Sequence, residues 1–338
     1  MNNPPSVRVA LDAMGGDFAP SETVAGGVAA AGKGVEVFLV GDPNQIKEEL
    51  DRYKVDDLPI VVVPSSGVIE EGESPIQALK EKPQASILVS AGLIKGGKAD
   101  ALVSMGSTGA TMAAAIFAFG LMDGIDRPAL GGPIIGLSPK MVVLDVGSNL
   151  DCRPSQMVKF GALGAAFSKS YFGISNPRVA LLSVGAEEGK GNRQTKETYQ
   201  LLKESGLNFQ GNIEGHDLVG ESSDVVVCDG FVGNVVMKLS EGIGYALSRH
   251  LDSKLKASLK SDVAQNVVND IYNMLNSVEN TGGGPLFGIN GIAVVGHGRA
   301  HATSVERAIL TARYCVQAGL LQSMSNELKQ LKEESIQS

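Results

Sequence analysis

Arg178-Val-Ala-Leu-Leu-Ser-Val-Gly-Ala-Glu-Glu-Gly-Lys-Gly-Asn192 reads as a strand, a loop and the threshold of a helix. The run from Arg178 to Ser183 is apolar without alternation, which is how a strand covered on both faces reads. It spills into Gly185–Asn192, where glycines leave backbone N–H groups exposed around a single lysine, Lys190. A helix restarting near Arg193 would turn its unpaired N-terminal amides toward the same loop. Such a stretch suits an anion, although taken alone it reads more simply as a solvated turn with a surface lysine.

The same pattern recurs along the chain. Continuous β-rich runs at Val7–Leu11, Val35–Val40, Ile60–Val63, Ala101–Ser104, Met141–Asp145, Val225–Cys228 and Ile292–Val295 alternate with longer helical stretches. That order predicts an α/β fold, a three-layer α/β/α arrangement around a mostly parallel sheet. The 338 residues suit one large domain over 7–325 or two closely joined lobes, with a helical arm at about 240–278 and solvated ends at 1–6 and 326–338.

Ligands of such sheets bind beyond the carboxyl ends of the strands. Five of those ends are alike: Asp12-Ala-Met-Gly-Gly-Asp17, Ser104-Met-Gly-Ser-Thr-Gly109, Asp145-Val-Gly-Ser-Asn149, the Lys190 loop, and Asp229-Gly-Phe-Val-Gly-Asn234. Each joins glycine to Asp, Ser, Thr or Asn, as a polar pocket floored by backbone amides requires. One such loop is ordinary turn chemistry; five on one edge of a sheet point to an anion site.

Several chemistries find no support. A formal charge of −8 argues against a general nucleic-acid binder. Cys152, Cys228 and Cys315 are far apart, with no metal or redox spacing, which fits the cytosol. No secretory signal or membrane-length apolar run is present. His216, His250, His297 and His301 supply no metal-like pair, so no zinc site is expected, while magnesium on Asp145 and Asp229 stays open. Gly27–Lys33 and Gly92–Lys98 have P-loop spacing but lack its Ser or Thr and precede strands, so they read as helix ends. The first strand is not followed by a dinucleotide fingerprint, and no strand end carries a serine-hydrolase elbow. Cys228, ending a buried run, is the remaining covalent candidate, though buried cysteines are usually small core residues.

From Asn234 to about Glu279 the pattern is helical, as one helix or two with a turn near Ser261. Leu247, Leu251, Leu255 and Leu259 recur four apart, with Arg249, Lys256 and Lys260 on the opposing side. This basic amphipathic arm suits a dimer contact, a membrane surface or an acidic partner. Thr281–Gly288 reads as a glycine-rich loop, and a helix is expected from about His301 to Ser323. His297, between two glycines at a strand end, is either a turn residue or a participant in the site.

The motifs together resemble a family. Val9-Ala-Leu-Asp-Ala-Met-Gly-Gly-Asp-Phe-Ala-Pro20, Ser104–Ala110, Ile125-Asp-Arg-Pro-Ala-Leu130, Leu144–Asn149, Glu187–Asn192, Asp229–Asn234, Gly282-Gly-Gly-Pro-Leu-Phe-Gly288 and His297-Gly298 resemble, in order, the bacterial PlsX phosphate acyltransferases. The resemblance runs from about Val7 to Ala318. It implies a fold like those of isocitrate and isopropylmalate dehydrogenases and phosphotransacetylases. It also implies reaction of inorganic phosphate with acylated acyl carrier protein to give acyl phosphate and free carrier, an entry to phospholipid synthesis, with no cofactor or metal. The expected enzyme is a cytosolic homodimer in peripheral contact with the inner face of the cell membrane.

On this resemblance Lys190 and Asn234 carry catalysis, with His297 a further candidate. Gly15, Gly16, Asp17, Ser104, Gly106, Ser107, Thr108, Gly109, Asn149, Asn192, Asp229 and Gly230 line the phosphate or substrate site. Arg249, Lys256 and Lys260 form the carrier or membrane contact. Ser107 stands where the family usually has Asn, Gly189 where a more polar residue is usual, and Arg299-Ala300 where small residues are common. The alternatives in other classes are an NAD-dependent hydroxy-acid dehydrogenase on the same fold and a non-catalytic membrane-associated scaffold.

Overall fold

The computed structural model describes residues 6–255, 261–276 and 281–331. The described residues form two compact units: one built from those through Asp123 and from Thr281–Gln322, the other from those beginning at Gly124 and from Ser323 onward.

In chain order the first unit contains β1 (Arg8–Asp12), α1 (Ser21–Ala31), β2 (Glu36–Gly41), α2 (Pro43–Leu50), β3 (Ile60–Pro64), α3 (Pro75–Glu81), α4 (Ser86–Lys95), β4 (Ala101–Ser104) and α5 (Thr108–Phe119). The second contains β5 (Ala129–Gly132), β6 (Val142–Leu144), α6 (Pro154–Phe172), β7 (Val179–Leu182), α7 (Arg193–Glu204), β8 (Phe209–Ile213), β9 (Val225–Val227), α8 (Gly230–Leu255) and α9 (Ser261–Leu275). The chain then returns to the first unit through β10 (Gly284–Phe287), β11 (Ile292–Val295) and α10 (Ala302–Gln317), and ends in α11 (Leu320–Gln330).

Strand order in the first unit is β3-β2-β1-β4-β11-β10, parallel except for β10 against β11. In the second it is β5-β6-β9-β7-β8, parallel except for β5 against β6. Val9, Ala10 and Leu11 are all fully buried, as are Val225, Val226 and Val227. Neighbouring strand residues point to opposite faces, so each of these sheets is covered on both. This is the layered, mostly parallel arrangement the apolar runs predict. A fully buried leucine or valine contributes about 1.5–3 kcal/mol and an exposed ion pair about 0–1, so the strand cores dominate the stability.

Several expectations need correction. Thr281–Gly288 is not wholly loop: Gly284–Phe287 pairs with β11, and Leu286 and Phe287 are buried. The helix expected from His301 to Ser323 breaks at Gly319, whose φ of 67° admits glycine readily, and α11 then runs to Gln330. The solvated end expected from Asn326 therefore begins inside a helix, and Glu327, 7 % exposed, bonds Lys169 at 2.7 Å. The arm is a pair, α8 and α9. Its tight face is made of small residues: a Cβ on Gly244 would lie 2.5 Å from Asn276 Nδ2, and Ser240 Oγ donates to the Leu275 carbonyl at 3.2 Å.

Candidate active site

The five glycine turns, with a sixth after Val295, fall into two groups. In the first unit β1, β4 and β11 are parallel, so the turns after Asp12, Ser104 and Val295 share one sheet edge. In the second, β6, β9 and β7 are parallel, and the turns at Asp145, Asp229 and Gly185 share its edge. Gly15, Gly16, Asp17, Ser104, Gly106, Ser107, Thr108, Gly109 and His297 thus belong to the first group, and Asn149, Lys190, Asn192, Asp229, Gly230 and Asn234 to the second.

In the first group the turns are laced to one another. The Asp17 amide donates to the Gly298 carbonyl at 2.7 Å. Ser107 caps α5: its hydroxyl accepts from the Ala110 amide at 3.4 Å and its carbonyl from the Thr111 amide at 2.9 Å. The first amides of that helix have no partner in the helical ladder, and no acidic residue occupies its first turn. This leaves a positive dipole end that favours an anion. His297 is exposed, and its Nδ1 accepts from the Arg299 amide at 3.3 Å, which fixes the ring on its own turn. The exposed Arg299 lies 4.0 Å from Asp17 and adds little. His301 stacks on Phe18 with ring centroids 4.8 Å apart.

The second group is organised by Asp145, whose side chain is fully buried. Oδ1 accepts from the amides of Leu130, Gly147 and Ser148, and Oδ2 from the amide and Nδ2 of Asn149, while the Ser148 hydroxyl reaches both oxygens. Burial pushes the Asp145 carboxyl up, and the Ser148 and Asn149 donors pull against it. With both oxygens occupied in this way, Asp145 is a loop organiser rather than a magnesium ligand. Asn149 is spent internally too: Nδ2 also donates to the Pro128 carbonyl at 2.8 Å, and its own carbonyl accepts the Gly230 amide at 2.7 Å. Asp229 Oδ1 accepts the Val232 amide at 2.8 Å as a cap of α8. Among the described residues no group of three His, Cys, Asp or Glu is arranged to hold a metal ion.

Lys190 and Asn234 stand apart from this internal bonding. Lys190 is exposed and forms no ion pair among the described residues; its stem folds over Gly185, where a Cβ would meet Lys190 Cγ at 2.8 Å. Asn234, the fifth residue of α8, makes no side-chain hydrogen bond among the described residues, and its Oδ1 lies 3.5 Å from where a Gly147 Cβ would be. Both side chains have donors to offer. Asn192 does not present its oxygen in the same way: Oδ1 caps α7 by accepting from Thr195 N and Oγ1 at 2.8 and 3.0 Å.

Cys228 is buried, donates to the Asp145 carbonyl at 3.4 Å, and has its thiol pushed well up by burial and by Asp145. Cys152, also buried, is pushed up to about 12 by the same causes. These are core thiols rather than nucleophiles. In the arm, Arg249 is exposed over the Tyr245 ring at 5.6 Å, while Lys256 and Lys260 lie outside the described residues. Sequence reasoning passed over Asp12 and Asp145 as site organisers; an aspartate ending an apolar strand before a glycine turn was the available signal.

A family model described as fatty acid synthesis protein matches residues 7–323. The chain belongs to this family. It is 42 % identical over 331 residues to the phosphate acyltransferase of Pelotomaculum thermopropionicum, with 96 % of each chain covered. It is 43 % identical over 328 residues to that of Geotalea uraniireducens, covering 96 % of this chain and 95 % of the relative. Among solved structures it resembles a phosphotransacetylase from Streptococcus pyogenes, with a TM-score of 0.62, 17 % identity, and 93 % and 94 % of the two chains covered. It also resembles 4-hydroxythreonine-4-phosphate dehydrogenase from Klebsiella pneumoniae, with a TM-score of 0.58, 13 % identity, and 92 % and 98 % covered. These two likenesses establish the family's dehydrogenase-like fold.

Proposed function

We propose that this chain is a phosphate acyltransferase that moves an acyl group from acyl carrier protein to inorganic phosphate. The observation that carries the reading is the pair of uncommitted side chains, Lys190 and Asn234, in a family whose relatives bear that activity's name. A phosphate oxygen attacks the thioester carbonyl carbon, the carbon–sulfur bond breaks, and the thiolate leaves and takes up a proton. Phosphate is already nucleophilic at neutral pH, so the need is to hold its charge beside the electrophile rather than to deprotonate it. Lys190 is assigned to that charge, and the Asn234 amide to the oxyanion forming on the carbonyl. A thiol with a pKa of about 8.5 leaves with little acid assistance.

In the first unit, the amides of Gly16, Thr108 and Gly109 are assigned to anion contact and His297 to proton transfer. Asn149, Asn192 and Asp229 support the reading as loop and helix-end anchors in the second unit. The naming of the relatives favours acyl transfer over the dehydrogenase and scaffold alternatives.

The expected homodimer and peripheral membrane contact belong with this reading. On α8, Phe231, Val235, Leu239, Ile243 and Leu247 recur four apart and are between 39 % and 63 % exposed, a row that would suit association. No helix among the described residues is long and apolar enough to cross a membrane. Arg249 is the described member of the proposed carrier contact.

The test is to mix the protein with palmitoyl carrier protein and phosphate and follow acyl phosphate by mass spectrometry. Phosphate-dependent product is the expected result, and its absence with NAD reduction in its place would overturn the reading. Light scattering and vesicle co-sedimentation of the full chain test the dimer and the membrane contact.

A further inference from the structure

Asp12 ends β1 in register with Ser104 at the end of β4. Both are sealed from solvent, at 2 % and 0 % exposed. Ser104 Oγ donates to Asp12 Oδ2 at 2.8 Å, and the same oxygen accepts from the Gly106 amide at 3.0 Å. One hydroxyl therefore ties a buried carboxyl to the turn that leads into α5.

The turn after β1 meets the turn after β4 at this point. A Cβ on Gly15 would lie 2.6 Å from Asp12 Oδ2 and 2.9 Å from the Gly106 nitrogen, and one on Gly106 would lie 3.3 Å from Gly15 Cα. Real side chains do not tolerate the first of these distances, so only glycine lets the two backbones touch above the carboxyl. Asp12 Oδ1 and Ser86 Oγ are both buried without a well-formed hydrogen bond.

We propose that Asp12 is a positioning residue which, acting through Ser104, holds the Gly106 amide and the Gly15–Gly16 turn in place beneath an anion-binding surface whose donors are the amides of Gly16, Thr108 and Gly109 in the first unit. The proposal rests on the acyl-transfer reading of these turns and deepens it. Burial pushes the Asp12 carboxyl up, and Ser86, Ser104 and the amides of Met14 and Gly15 pull against it. Asp12 and Ser104 take up the nearer amides, and those of Gly16, Thr108 and Gly109, with no hydrogen bond among the described residues, stay available to an anion.

The test uses the full chain in three variants. Asp12→Ala and Ser104→Ala remove the relay, while Asp12→Asn keeps an oxygen acceptor without a titratable charge. Phosphate KM and kcat are measured at about pH 8, where phosphate is largely dianionic, and hydrogen exchange reads the Gly106 amide. The expected result is a rise of about tenfold or more in phosphate KM for both alanine variants, with faster exchange at Gly106. Phosphate KM should return toward the wild-type value in Asp12→Asn, which also restores slow exchange, with kcat little changed in all three variants. A general loss of structure would lower kcat as well and would not be rescued by Asp12→Asn. Wild-type KM and exchange in Ser104→Ala, or an Asp12→Asn variant no better than Asp12→Ala, would overturn the proposal. Should the wild type form no acyl phosphate, the acyl-transfer reading fails separately. Exchange at Gly106 and stabilisation by inorganic phosphate then decide the role of Asp12, with stabilisation expected in the wild type and Asp12→Asn and lost in Ser104→Ala.

Discussion

Asn149 grips Asp145 twice, through its amide at 2.7 Å and its Nδ2 at 2.8 Å, both on Oδ2. The pair closes the turn after β6 and, through the Asn149 carbonyl on the Gly230 amide, anchors the start of α8. Substituting Asp145→Ala strands several buried donors at once. The expected cost is about 3–5 kcal/mol, on the scale of breaking a buried hydrogen-bond network. Urea unfolding of the full chain measures it; a loss below about 1 kcal/mol would show that the carboxyl does not organise the turn.

Asp12 gives a pH dependence with a definite sign. Its folded pKa is raised above the unfolded 3.8, so its contribution is fully present below that value and is lost as pH rises toward the folded pKa. Asp12→Asn should therefore match the wild type near pH 3.8 and become progressively more stable than it as pH rises, by up to about 1.4 kcal/mol per pH unit within that window. Asp100 has the opposite sign. The Arg8 guanidinium, 2.7 Å away, holds its carboxyl down, so its stabilisation is present above 3.8 and is lost as pH falls through the folded value. Thermal unfolding of Asp12→Asn and Asp100→Asn across pH should show these opposite trends; parallel trends would contradict the assignment.

Asn192 separates a cap from a ligand contact. Its Oδ1 accepts two hydrogen bonds at the start of α7, so Asn192→Ala should cost about 1 kcal/mol of stability. Asn192→Asp keeps the cap and should recover most of it. If Asn192→Ala unfolds at the wild-type denaturant midpoint yet loses phosphate affinity, the residue serves the ligand and not the helix.

The parallel strands were legible because runs such as Val225–Val227 are apolar at every position, a pattern that only a doubly covered strand sustains. Ala129–Gly132, Phe209–Ile213 and Gly284–Phe287 carry no such signal, since glycine, glutamine or proline interrupts each; they become strands through the partners that pair with them. The turn residues of the site were legible as a set, but not their division of labour. Asn149, Asn192 and Asp229 look like ligand groups in the sequence and are spent on their own backbone in the fold. Asp12 and Asp145 look like ordinary turn aspartates, and only their burial sets them apart. The periodicity of α8 suggested a leucine seam, but its tight packing runs through Gly244 and Ser240, because small residues let α9 approach.

Lys190 and Asn234 are the two side chains of the second group that the fold leaves without internal work, and this decides how their variants should behave. Lys190 is exposed and without an ion pair among the described residues, so Lys190→Ala should leave the thermal midpoint within about 1 °C of wild type while abolishing acyl-phosphate formation. Asn234→Ala removes one oxyanion donor and should lower kcat by about 10²–10³ with little change in phosphate KM, since the charge it stabilises exists only in the transition state. Asn234→Asp should be no better, because it swaps the donor for an acceptor at the same place. Steady-state kinetics on palmitoyl carrier protein, with thermal unfolding alongside, separates these outcomes. A Lys190→Ala variant with near-normal turnover would remove Lys190 from the mechanism, and an Asn234→Ala variant with an unchanged kcat would remove the oxyanion role.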